Sequence, residues 1–174
     1  MCIRDRIELI HEITEIAFVR SESFSKIGLT VMDGPFASLM PFGLSGFHSL
    51  SSVAYTPHEV SKNNQPTFSC QQKNRNCRPD FPSNCNSCSA RPVSNFDKMA
   101  HQIRHYLKEN VDLKYIDSKF TIKSKLKSSF IDDGRPTHIL KLQENPSFYC
   151  IFAGKINSIY EIEKMLDKPL SVEI

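Results

Sequence analysis

Between Ser61 and Pro92 the chain is rich in Asn, Ser, Gln, Pro and Cys and almost free of aliphatic side chains. Such a stretch has too little apolar surface to offset the entropy of ordering it. Any hydrophobic core must come from the segments on either side, so this stretch is expected as a loop inserted between them. It carries Cys70, Cys77, Cys85 and Cys88, the last two as Cys-Asn-Ser-Cys. Four thiolates can close a tetrahedral Zn²⁺ site, and a metal can organise a loop too polar to fold unaided. The Cys-x-x-Cys suits such a site, whereas the six- and seven-residue gaps before it match no standard ribbon or knuckle. An iron–sulfur cluster would use the same four ligands. Free or redox-active thiols are the third alternative.

Upstream of the loop, Ile7 to Arg20 sets Ile, Phe and Val among charged residues at partly alternating positions. This predicts one long, bent strand with His11, Glu12 and Glu15 toward solvent or a cleft; Ile13, Ile16 and Ala17 also fit a helical period. Leu29 to Met32, Ala37 to Met40 and Phe47 to Tyr55 read as strands of an antiparallel meander. The turns between them fall at Asp33-Gly34-Pro35 and at Pro41-Phe42-Gly43 with Gly46. Asp33 either stabilises its turn or positions a substrate group. His48 and His58 are the titratable side chains of this block suited to acid–base work near neutral pH, against the ordinary alternative of structural or surface histidines.

Downstream, Ser94 to Asn110 predicts a helix with an apolar stripe of Met99, Ile103, Tyr106 and Leu107, capped by Ser94 or Asn95. Phe120 to Phe130 alternates at period two, with Phe120, Ile122, Leu126 and Phe130 on one face and Lys123, Lys125 and Lys127 on the other. The lysines either keep an exposed face soluble or form a basic wall for an anionic substrate. His138 to Leu142 is a further strand, turned at Glu144-Asn145-Pro146.

Phe148 to Phe152 is a short aromatic-rich run that reads as a buried strand. Ala153-Gly154 turns the chain, and Ile159, Ile162, Met165 and Leu166 then share a helical face. Ser158 with Glu161 makes a capping-box pattern. A strand leading through Gly154-Lys155 into a helix start gathers unpaired N–H groups and an ammonium at one point. That point suits a phosphate, a carboxylate or a ring carbonyl. An ordinary strand-to-helix junction with Lys155 in solvent is the alternative.

The segment Gly154 to Leu166 resembles the closing segment of FAD-dependent oxidoreductases of the amino-acid oxidase superfamily, with the glycerol-3-phosphate dehydrogenase branch nearest. Ala153-Gly154-Lys155 stands for that branch's Gly-Gly-Lys, and Asn157-Ser158 for its Thr pair. Asp132-Asp133-Gly134-Arg135-Pro136-Thr137 resembles the family's Gly-x-Arg-Pro. Gly28 to Phe36, then Met40-Pro41-Phe42 and Phe47 to His58, resembles its Asp-Gly-Arg, Pro-Trp and Gly-Thr-Thr-Asp-Thr-Pro stretch, with Pro35 where the family has Arg. The three blocks occur in the family's order. The resemblance implies an α+β fold: a mostly antiparallel sheet with one or two packed helices, the substrate-side and flavin-capping part of a two-domain flavoenzyme. It implies FAD as cofactor, with Gly154, Lys155, Ile156, Asn157 and Ser158 at the isoalloxazine edge. Arg135 lies beside the ring or a substrate carboxylate, unless it pairs with Asp132 or Asp133. The implied reaction is oxidation of a C–N or C–O bond of a small anionic substrate by hydride transfer to flavin; no residue is singled out as a base.

The family binds its dinucleotide through Gly-x-Gly-x-x-Gly, a pattern that none of the six glycines forms. Met1-Cys2-Ile3-Arg4-Asp5 looks like a translated sequencing-library adapter. Residues 1–6 are therefore expected to be an artefact, with the FAD-binding half of the natural protein upstream as the partner of this part. Residues 7–166 are then the C-terminal part of the oxidoreductase domain, 61–92 its cysteine-rich insertion and 167–174 a tail. The fragment alone is expected to be inactive. A net charge of +3 and mean hydropathy of −0.34 argue against a nucleic-acid polymer as partner. No apolar run approaches a membrane span and no export signal is visible, so the chain reads as cytoplasmic. The competing class is a non-catalytic, zinc-dependent binding module on the Cys70–Cys88 loop, with Lys73, Arg75, Arg78 and Arg91 around the thiols.

Overall fold

The computed structural model describes residues 7–32, 36–107, 111–127, 137–152, 160, 161 and 163. The chain divides into two compact units, one of Ile10–Ser124 and one joining Met1–Leu9 to Lys125–Ile174. The described residues form a mostly antiparallel β structure with one α-helix.

The first unit is organised on β1 (Leu9–Arg20), the long strand expected from its alternating apolar residues. The meander expected upstream of the loop is present as β2 (Leu29–Val31), β3 (Ala37–Pro41) and β4 (His48–Ser52). With β5 (Pro57–Ser61) these strands give the order β2-β3-β4-β1-β5, and β6 (Lys114–Leu126) also pairs with β1. Register places Ala17 opposite Leu50 and Leu39 opposite Leu50. One face of three neighbouring strands is thereby apolar. Gly43 and Gly46, at φ 55° and 74°, supply the left-handed backbone of the β3–β4 turn.

Helix α1 (Phe96–His105) covers that face. Met99, Ala100 and Ile103 lie on one side of it at helical spacing and are fully buried with Ala17, Val19, Ala37, Leu39 and Leu50. The helix is shorter than Ser94 to Asn110: Tyr106 already caps its C-terminus and is 38% exposed. Leu107 packs on the core from beyond the helix. Asn95 is the N-cap by position but makes no capping bond of its own; the Ser94 hydroxyl accepts from the Phe96 N–H at 3.0 Å.

One expectation about β1 is reversed. His11, Glu12 and Glu15 are buried, at 3%, 3% and 0% exposure. The strand pairs with β4, β5 and β6 and so lies in the middle of the sheet, and its polar side chains meet protein on both faces. His11 bonds Ser124 Oγ at 2.8 Å, and Thr14 donates to the Thr121 carbonyl at 3.3 Å.

Strand β6 begins six residues before Phe120, because Lys114 to Lys119 continue the pairing segment. Phe120 and Leu126 are buried and Ile122 half-buried, while Lys123 and Lys127 are exposed, as the alternation predicts; Lys125, expected on the same open face, is half-buried. In the second unit Lys127 pairs with Glu8 through a backbone bond of 3.0 Å and an ion pair of 3.3 Å. The same unit holds the antiparallel hairpin β7 (His138–Gln143) and β8 (Phe148–Phe152), strands at the positions the sequence reading gives. Strand β8 is not the buried strand expected: Phe148 and Ile151 are exposed, because among the described residues β8 pairs with β7 alone.

Candidate functional site

Three groupings carry the polar chemistry of this chain, two of them expected from its sequence. The flavin-edge set, Arg135, Gly154, Lys155, Ile156, Asn157 and Ser158, lies outside the described residues, as do Asp33, Phe130, Asp132, Asp133, Ile159, Ile162 and Leu166. What is described is the strand that leads to that set. Strand β8 pairs with β7 up to Phe152 opposite His138, immediately before Ala153.

The cysteine loop is the second grouping. It contains two short 3₁₀ turns, Ser69–Gln72 and Cys85–Ser87, joined by turns and one isolated antiparallel bridge between Arg78 and Phe81. Its anchor is Phe68, 4% exposed against Ile13 of β1 and Phe120 of β6, and Cys70 and Cys85 pack on the same cluster. Asn86 ties the second turn to β6 by accepting the Phe120 N–H at 2.8 Å. Arg91 lies 5.3 Å from the Phe120 ring centre and pairs with Asp117 at 3.8 Å. The loop lacks a core of its own and borrows one from the sheet.

This folding brings the four cysteines toward one another. Cys77 is buried; Cys70, Cys85 and Cys88 are half-buried; all four are free thiols. Burial, then the neighbouring sulfurs of Cys77, Cys88 and Cys85, push the Cys70 thiol above its ordinary range. Burial followed by Cys77 and Cys88 does the same to Cys85. Two N–H groups point at sulfur: Asn74 Nδ2 stands 3.2 Å from Cys88 Sγ, and the Ser83 N–H donates to Cys77 Sγ at 3.4 Å. Among the described residues no group of three or more His, Cys, Asp or Glu side chains is set in metal-holding geometry.

The third grouping centres on Glu15, and sequence reading missed it. Its carboxylate accepts hydrogen bonds from the hydroxyls of Ser94 and Ser118, from the Asn95 N–H at 2.8 Å and from His58 Nε2 at 2.7 Å. Burial opposes ionisation and is the largest influence. The bonds from Ser118, Ser94, Asn95 and His58 together outweigh it and hold the carboxyl below its ordinary value. His58 Nδ1 lies 3.4 Å from Asn95 Nδ2, a donor, which leaves Nε2 to carry the proton shared with Glu15. One carboxylate therefore joins β1, β5, β6 and the start of α1. Alternation alone placed Glu15 in the strand, but no local pattern announces four donors drawn from residues 58 to 118.

The two histidines considered for acid–base work part company here. Both ring nitrogens of His58 are occupied inside the hub. His48, opposite Val19 and Pro41, is buried at 3% exposure, and neither of its ring nitrogens has a hydrogen-bond partner among the described residues. Among the described residues no helix is long and apolar enough to cross a membrane. Compared with protein-family models, curated proteins and solved structures, the chain matches none.

Proposed function

We propose that this chain is the substrate-side, flavin-capping part of an FAD-dependent oxidoreductase acting on a C–N or C–O bond of a small anionic substrate. The observation that carries the reading is the Gly28–His58 block. The resemblance treats it as one unit, and in the fold its strands β2, β3 and β4 pair in uninterrupted antiparallel succession. Strand β8, ending directly before Ala153-Gly154-Lys155, adds the lead-in that the closing segment needs.

When bound, the flavin supplies the hydride-accepting chemistry. The chain's own part is to hold and orient. The Lys155 ammonium and the N–H groups of Ile156, Asn157 and Ser158 offer positive charge to a ring carbonyl. The Arg135 guanidinium offers a planar two-point grip on a carboxylate. The competing reading, a zinc-dependent docking module on the cysteine loop, has less behind it. Arg91 is committed to Phe120 and Asp117, and Arg78 pairs with Asp80 at 3.4 Å.

The test is the protein extended through its upstream reading frame, purified and examined for a flavin absorbance band. We expect stoichiometric FAD. Lys155→Met should weaken flavin retention, and Arg135→Lys should raise KM for an anionic substrate by on the order of tenfold. A colourless extended protein that takes up no added FAD would overturn the proposal.

A further inference from the structure

We propose that Cys70, Cys77, Cys85 and Cys88 bind one structural Zn²⁺ as a tetrathiolate, with Asn74 as an outer positioning residue that holds the site together. This stands apart from the flavin reading and holds whether or not that reading does.

The loop needs an organiser. Apart from Phe68, it sends no large apolar side chain into a buried cluster, and its remaining order comes from short local hydrogen bonds, Asn side chains and the contacts of Arg91 with Phe120 and Asp117. Yet it folds so that cysteines separated by as many as seventeen intervening residues are drawn together, Cys70 and Cys85 on one cluster and Cys77 and Cys88 on either side of Asn74. Cys70 and Cys85 are fixed there by packing on Ile13, Phe68 and Phe120. Cys85 and Cys88 are joined by a tight turn, with the Cys88 N–H donating to the Cys85 carbonyl at 3.3 Å. That is the local geometry a Cys-x-x-Cys needs to present two sulfurs to one ion.

Asn74 connects the two halves. Its carbonyl accepts from the Cys77 N–H at 3.0 Å, while its side-chain amide reaches Cys88 Sγ at 3.2 Å. With the Ser83 N–H directed at Cys77 Sγ, two ligand sulfurs already have a hydrogen-bond donor. Neutral thiols are weak acceptors, whereas such donors stabilise the charge of metal-bound thiolates and orient them. Closing on an ion requires the sulfurs to approach further than they stand, and the metal's binding free energy drives such ordering. An all-thiolate donor set suits zinc or an iron–sulfur cluster. The gaps of six and seven residues match none of the compact cysteine runs of ferredoxin-type clusters.

The experiment uses the full 174-residue chain, purified without chelator from zinc-supplemented culture and assayed for zinc and iron. We expect one tightly held zinc per chain and, after cobalt exchange, the sulfur-to-cobalt charge transfer and d–d bands of a tetrahedral site. Cys85→Ser with Cys88→Ser should abolish both. Should that variant fail to fold, the wild type still decides, because chelator must release zinc and expose the four thiols to Ellman's reagent together. Asn74→Ala should weaken zinc binding by about tenfold and shift the charge-transfer band, with Asn74→Gln recovering part of each. Bound iron with sulfide would overturn the zinc assignment. Zinc lost on simple dialysis, or thiols equally reactive with and without chelator, would overturn the site.

Discussion

The sheet–helix core and the cysteine loop belong to one compact unit but are held by different means. In the core, Ala17, Val19, Leu39, Leu50, Met99 and Ile103 are at 0% exposure and interlock across three strands and a helix. Burial on this scale stabilises through removal of apolar surface from water and through dense packing. In the loop a single ring, Phe68, reaches the interior among polar side chains that mostly bond to their own neighbours. The core packs sheet against helix with no loop residue among its buried members, whereas the loop's one apolar anchor packs on the sheet. The Glu15 hub lies between these regimes, a polar centre whose four hydrogen bonds join β1, β5, β6 and the start of α1.

That contrast can be broken most directly from the core side. Ile103→Ala should cost about 2–5 kcal/mol, read as a lower urea midpoint with little change in slope, because the hole it leaves cannot collapse against a sheet. A loss below about 1 kcal/mol would mean that α1 is not a packing element.

Glu15→Gln comes next, at on the order of 2–3 kcal/mol, since it turns an acceptor of four hydrogen bonds into a group with its own N–H pair among those donors. It also has a pH signature. The folded state holds the Glu15 carboxyl below its ordinary value of 4.5. Its contribution is therefore complete above that value and is lost as pH falls through the lower folded-state value. Urea midpoints across the acid range should fall more gently for Glu15→Gln than for the wild type; parallel curves would remove Glu15 as the titrating hub.

The smallest effect belongs to the loop. Arg91→Ala should cost about 1 kcal/mol, from the lost contact with Phe120 and a partly exposed pair with Asp117. Amide exchange should quicken between residues 61 and 92 and remain unchanged in α1. Equal acceleration in both would mean that loop and core open as one, and the contrast between them would fail.

The legible parts of the fold were those with a local period. The meander and the lysine-faced strand β6 largely alternate at every second residue, β8 is a short apolar run, and the helical stripe of Met99 and Ile103 repeats at helical spacing. The helix end was less legible: nothing in the sequence near Tyr106 halts an apolar period that continues to Leu107. Burial of His11, Glu12 and Glu15 was illegible for a different reason. A charged residue on a strand signals solvent unless one knows which strands flank it. Their neighbours, among them Ser94, Ser118 and Ser124, lie some eighty to a hundred and thirteen residues away along the chain. The thiols were visible as a composition, but the donors aimed at them, Asn74 and Ser83, were two more polar residues in a polar stretch.

The sequence by itself determined where most strands and the body of the helix form, though not β5 or the helix end, and where no core can, because those depend on the spacing of apolar side chains within a few residues. Only the tertiary structure decided that β1 is central, that Glu15 is a buried junction and that Phe68 hangs the loop on the sheet. Each of these rests on contacts between distant segments, and an interior position becomes favourable for a carboxylate only once four donors have been assembled around it.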